Sequence, residues 1–314
     1  MDLLTWSLKN GKMLSTSFLN NGVAARIDNV DISTLSASEI EEIKDCLHKH
    51  LVVVIKKQDV GSFNYTRFIE QIGKIANYSQ MAYSLNGEFA SSKGKPTSEW
   101  NLSKESYPVQ RVTGKKNSKN NISGIFGTGI LDWHANLNGL DRADGVALQG
   151  FQDCENTSTS FLNTNLAYLD MPDDLKDAVK NTYAEYEYSP EVWAKGLPKQ
   201  QLTGMLKNKS KYKMWLVQKN IKGIQGIYFY TNNRCKIITK DNTLYNKLYQ
   251  HIFQEKYIYQ HFWEPGDIVL MDQLLTLHKR DQNDPDILEK RILHRITFKI
   301  SNYNNYIATM NNIK

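Results

Sequence analysis

Cysteine is scarce in this 314-residue chain: Cys46, Cys154 and Cys235 are widely spaced and odd in number. Neither a disulfide framework nor a cysteine-based zinc site is indicated. No apolar run reaches the roughly 18 residues of a membrane span, and "MDLLTWSLKNGKM" lacks the parts of a secretory signal. A soluble, cytoplasmic protein is expected. Acid is missing too, but only locally. Between Val192 and Lys240 there are eleven basic residues and no Asp or Glu, against a net charge of +6 for the whole chain. That field suits an anionic small molecule, or nucleic acid, although no recognised nucleic-acid motif accompanies the lysines. A solvated lysine-rich face is the plain alternative.

What is present is ordinary globular material: 40% hydrophobic and 23% charged residues, with 17 Tyr, 11 Phe and 6 Trp for core and pocket. "VAARIDNVDI" reads as a strand. "SASE" at 36–39 has capping-box spacing and opens a helix through "IEEIKDCLHKH". "LVVVI" at 51–55 is a buried strand. "FNYTRFIEQIGKI" returns to helical spacing, with Phe63, Phe68, Ile69, Ile72 and Ile75 as its apolar stripe. Residues 79–125 are rich in Ser, Lys, Asn and Gly around a strand-like "YPVQRVT" and are expected to form loops or a lid.

Further on, "GVALQGF" is a strand, "NLAYL" and "PDDLKDAVKNTY" are helical with Pro172 in a first turn, and "GIYFYT" is an alternating strand. The last third predicts a helix in "DNTLYNKLYQHIFQ", strands in "YIYQHFW" and "IVLMD", a loop over "QLLTLHKRDQNDPD" and a final strand "RILHRITFKI". With no βαβ rhythm, this order argues for a mostly antiparallel sheet with helices outside, in one α+β domain over 1–314 that carries a basic insert at about 192–225.

Seven histidines are available. His48 and His50 sit where a helix C-terminus favours positive charge, and His251 and His261 have no evident companions. Three others stand in "DWHAN" (His134), "LLTLHKRD" (His278) and "RILHR" (His294). With these segments in order, the chain resembles the taurine dioxygenase and 2,4-dichlorophenoxyacetate dioxygenase family of non-haem iron enzymes. "DWHAN" is similar to its W-H-x-D segment, "ENTSTSFLNTNLAY" to its Thr-containing segment, and "WEPGDIVLMDQLLTLHKRD…KRILHR" to its closing histidine and arginines.

The resemblance implies a double-stranded β-helix (jelly-roll) core with flanking helices, Fe(II) as metal, 2-oxoglutarate as cosubstrate, and O2 with a small anionic or zwitterionic molecule as partners; a homo-oligomer is left open. Two imidazoles and an oxygen ligand would leave three iron positions for a bidentate keto acid and O2. His134 and His278 would supply the imidazoles, Arg295 a planar fork for the distal carboxylate, and Thr159 a hydroxyl. Arg291 is the rival fork, on the same side of a strand, and could instead contact substrate. The departure is Asn136, where the family has aspartate. Its neutral amide leaves three alternatives: weakened or retuned oxygenase chemistry, a halide in place of the missing charge, or an impaired catalyst. Tyr212, Trp215, Tyr228 and Tyr230 are expected near an anion or flat ring in the substrate pocket.

Overall fold

The computed structural model describes residues 14–75, 82–83, 89–90, 109–116, 124, 126–127, 131–135, 143–187, 211–231 and 234–300. Most of the expected lid and basic insert, and Asn136, lie outside the described residues.

The N-terminal third contains β1 (Ser15–Leu19), β2 (Ala24–Asp28), α1 (Ala37–His50), β3 (Val52–Ile55), α2 (Ser62–Ile72), β4 (Lys74–Ile75), β5 (Ala82–Tyr83) and β6 (Phe89–Ala90). The middle has β7 (Gln110–Val112), β8 (Leu131–His134), β9 (Gly145–Gln152), β10 (Ser158–Asn163), α3 (Thr164–Leu169), α4 (Asp173–Lys180), β11 (Tyr183–Glu187), β12 (Lys211–Trp215), β13 (Val217–Lys219), β14 (Gln225–Ile227) and β15 (Arg234–Ile238). The chain continues through α5 (Leu244–Ile252), β16 (Ile258–Phe262), β17 (Ile268–Asp272), β18 (Thr276–Arg280), α6 (Pro285–Leu288) and β19 (Ile292–Lys299).

Two sheets position the site. The larger runs β1-β2-β3-β17-β9-β19-β4, with β7 also pairing β19; the smaller runs β16-β10-β18-β8. Pairing is antiparallel except between β2 and β3, which are parallel. Here α1 bridges two adjacent parallel strands, so one βαβ unit exists where the sequence had suggested none. The Ser36–Glu39 capping box is present, and Leu51 closes the helix in a left-handed conformation (φ 67°).

The uninterrupted apolar runs of β3 and β17 have a physical cause. Val53, Ile55 and Leu270 pack under α1 and α2, while Val52, Val54, Val269 and Met271 face inward with Phe161 of the smaller sheet. A strand covered on both faces needs no polar alternation. A third cluster joins α3 and α5 to the outer side of the smaller sheet through Leu162 and Leu277.

Several expectations are corrected. Phe63 is 46% exposed, and Tyr65 takes its place in the core; Ile75 belongs to β4. Pro172 is the N-cap of α4, one residue before its first turn. β14 ends at Ile227, and Tyr228, Phe229 and Tyr230 are all buried rather than alternating. Tyr230 stacks on Tyr186 and Tyr228 meets both rings edge-on, as core and not as pocket wall. Most consequentially, the segment read as a loop contains β18.

Where β17 ends, Asp272 accepts from the amides of Leu274 (2.7 Å) and Leu275 (3.0 Å). Burial, with Asp144 nearby, pushes its carboxyl up from 3.8 to about 7. Between those values the folded protein keeps a proton that the unfolded chain has released. The stability this gives is full below about pH 4 and is lost as pH rises through about 7. In Asp272→Asn the amide oxygen can still accept both bonds, so melting temperature is expected to vary less across that window. An unchanged pH profile of thermal unfolding would refute this.

Candidate active site

His134 ends β8, and His278 lies directly opposite it on β18. Their rings are 4.1 Å apart between centroids, and both are buried. Antiparallel pairing thus brings together two histidines remote in sequence. Nδ1 of His134 is 2.7 Å from the carbonyl oxygen of Asp132, an interaction that requires the proton on Nδ1 and leaves the Nε2 lone pair for a cation. Burial depresses the pKa of His134 to about 4 and that of His278 well below its usual value. Neutral rings are what metal ligation needs. The Asp132 side chain, two residues before His134, is exposed and does not line the cavity.

The two rings form part of a small cavity between the sheets. Leu148, Leu293, Arg295 and Arg291 line it from the side of the larger sheet; His278, Arg280 and Thr159 line it from the smaller. Val112, Phe126 and Leu131 complete an apolar wall. Thr159 stands opposite Arg280 in the β10–β18 register.

Three guanidiniums therefore share one chamber, and no Asp or Glu lines it among the described residues. Arg291 is 1% exposed, and its Nε and Nη1 have no hydrogen-bond partner. Burial first, then neighbouring Arg280, lower its pKa to about 9. A buried, unsatisfied guanidinium is costly, and it points to an anion completing the site. Arg295 is engaged differently: Nη1 donates to Gln110 Oε1, and its guanidinium lies 5.8 Å from the centroid of the Phe126 ring. Arg280 donates to the carbonyls of Phe126 and Gly127, holding Phe126 in its left-handed backbone conformation (φ 55°).

Five of the six residues expected from the sequence (His134, His278, Thr159, Arg291 and Arg295) meet at this cavity; Asn136 falls outside the described residues. His294 points away from it, stacked on Phe151 at 3.9 Å and 3.3 Å from Gln149. Sequence reasoning missed Arg280. Its spacing of two from His278 would have exposed it had the segment been read as a strand. His261 also has a companion after all, the buried carboxylate of Asp267 at 3.2 Å.

The chamber can hold a cation between neutral imidazoles and an anion against guanidinium groups, with apolar walls around both. No helix among the described residues is long and apolar enough to cross a membrane.

Similar proteins have this arrangement's fold. A crystal structure of a taurine dioxygenase from Burkholderia xenovorans superposes with a TM-score of 0.66 at 18% identity, covering 91% of this chain and 89% of that one. The crystal structure of AAD-2 with Mn(II) and N-oxalylglycine gives 0.64 at 16%, covering 91% and 97%. In sequence, the chain is 22% identical to pentalenolactone F synthase of Streptomyces avermitilis, over 90% of this chain and 92% of that protein. It is 20% identical to the alpha-ketoglutarate-dependent 2,4-dichlorophenoxyacetate dioxygenase of a Burkholderia species, over 90% and 94%. The pattern described as "Taurine catabolism dioxygenase TauD, TfdA family" matches residues 15–297. The chain therefore belongs to the TauD, TfdA family of non-haem iron dioxygenases, whose metal is Fe(II) and whose cosubstrate is 2-oxoglutarate.

Proposed function

We propose that this protein oxidises, most simply by hydroxylation, an unactivated C–H bond of a small polar or anionic metabolite. It does so from a single domain whose two sheets form a double-stranded β-helix. His134 and His278 hold Fe(II), with Asn136 in place of the family's carboxylate. The observation that carries the reading is the pairing of two neutral imidazoles with an unsatisfied buried guanidinium in one cavity.

Geometry favours reversing the order of the arginines expected from the sequence. Arg291, deeply buried and unsatisfied, grips the distal carboxylate of 2-oxoglutarate, and Thr159 adds a hydroxyl donor. Arg295, fixed by Gln110 and Phe126, faces the substrate's acidic group.

When bound, iron and 2-oxoglutarate supply the oxidising chemistry: O2 is consumed, CO2 and succinate leave, and one oxygen atom goes to the substrate. The protein's own contribution is positional. The Asp132 carbonyl fixes the His134 ring, Arg291 and Thr159 orient the keto acid, and Val112, Leu131, Leu148 and Leu293 keep water from the reacting centre. Anaerobic loading with Fe(II) and 2-oxoglutarate, followed by O2, is expected to yield succinate in step with oxidised substrate. Absence of succinate across a panel of small carboxylates and sulfonates, together with unmeasurable iron binding, would remove the proposal.

Asn136→Asp is expected to tighten Fe(II) binding, because a carboxylate both ligates and offsets the 2+ charge. The effect is expected to be about tenfold or more, read by metal titration under argon. Equal affinity in the two forms would mean that position 136 does not touch the metal. The surplus of guanidinium groups also favours a second reading, in which a halide occupies the position the carboxylate would fill. That reading requires a chlorinated product dependent on chloride; only hydroxylated product at saturating chloride would exclude it.

A further inference from the structure

The indole N–H of Trp263 donates to Thr159 Oγ1 at 2.9 Å, with both side chains buried. An indole nitrogen is a donor only, whereas a hydroxyl offers one proton and two lone pairs. Trp263 therefore occupies the acceptor side of Thr159, and the hydroxyl proton needs an acceptor elsewhere. The guanidinium groups of Arg280 and Arg291, which share the cavity with Thr159, carry no lone pair. An incoming carboxylate oxygen fits.

The indole is itself held in place. Its backbone amide donates to the Thr157 carbonyl at 3.0 Å, which carries the β10–β16 pairing one residue further. Its ring meets His261 edge-on, with centroids 4.6 Å apart. Nδ1 of His261 is 2.9 Å from the hydroxyl of Tyr259, and Nε2 is 3.2 Å from the Asp267 carboxylate, which Lys56 pairs at 2.5 Å. This chain of contacts leads from the outer strand β16 to the cavity wall. Trp263 does not line the cavity; its ring packs behind the apolar wall with Leu148 and Leu293, and its N–H reaches the cavity through Thr159.

We propose that Trp263 is a positioning residue for the cosubstrate: by taking the acceptor side of Thr159, it makes that hydroxyl a dedicated donor to a carboxylate of 2-oxoglutarate. This rests on the assignment of Thr159 made above.

The test is a double-mutant cycle on 2-oxoglutarate affinity, measured by calorimetric titration of the Mn(II)-loaded full-length protein without turnover. Thr159→Val is expected to weaken binding about tenfold, and Trp263→Phe about three- to tenfold. The double variant is expected to bind no worse than Thr159→Val alone, because the indole acts through the hydroxyl. In steady state, Trp263→Phe should raise KM for 2-oxoglutarate and leave kcat at saturation unchanged. If the smaller ring costs folding, site-specific replacement of the indole by benzothiophene removes the N–H and keeps the shape. Wild-type affinity in the Trp263 variant, or losses that multiply in the double variant, would overturn the proposal alone. Wild-type affinity in Thr159→Val would overturn the assignment of Thr159 and this proposal with it.

Discussion

Arg291→Met is expected to move two measurements in opposite directions. In the ligand-free protein, the guanidinium is almost wholly buried, with two nitrogens unsatisfied and Arg280 close by. Replacing such a group with an apolar side chain of similar length removes a desolvation penalty, and comparable buried-charge replacements stabilise proteins by about 1–4 kcal/mol. The melting temperature of the variant without 2-oxoglutarate should therefore rise. Affinity for 2-oxoglutarate should fall sharply, because truncating one partner of a buried charge pair costs about 2–5 kcal/mol, or roughly 30- to several-thousand-fold in Kd. Arg295→Met should do neither. Its expected effect is a higher KM for the substrate, with cosubstrate binding close to wild type. A variant at Arg291 that binds 2-oxoglutarate normally would return the distal carboxylate to Arg295, as the sequence first suggested.

His278→Ala is the second large effect. Residues that only orient a ligand typically cost about 10–100-fold in metal affinity when lost, so removing one of two imidazoles should exceed the upper figure. Fe(II) retention and 2-oxoglutarate-dependent O2 uptake should both disappear. The fold should survive, because the pKa of His278 is held far below neutrality and its replacement removes no charge from the core. Circular dichroism separates the two outcomes. A folded His278→Ala protein that binds Fe(II) like the wild type would disprove the metal site.

The sequence was most readable where burial is purely apolar. "LVVVI" and "IVLMD" are strands because both of their faces are covered, and no polar residue interrupts them. The site strand β18 was misread for the opposite reason. In "TLHKR" the residues facing the cavity are His278 and Arg280, so polar side chains stand where periodicity would call for apolar ones.

The two histidines were still found, because their order along the chain carries a family pattern that periodicity does not. Which arginine is the better partner for the cosubstrate was not legible. A spacing of four puts both on one side of a strand, and what separates them is Gln110, on a strand far away in sequence. The same holds for Trp263: its bond to Thr159 crosses from the turn after β16 to β10, and no local spacing announces it. Phe63 shows the converse, since helical spacing alone cannot say which of two possible stripes turns inward.

Among the described residues the smaller sheet ends at β8, a four-residue edge strand whose last residue is one of the proposed ligands. An edge strand that short contributes few ladder bonds of its own. A cation gripped by His134 and His278 would fasten it to β18 in the manner of a rivet, so loading the metal and finishing the sheet become thermodynamically one process. Scarcity of iron would then be felt as a loosening of architecture as well as a loss of turnover.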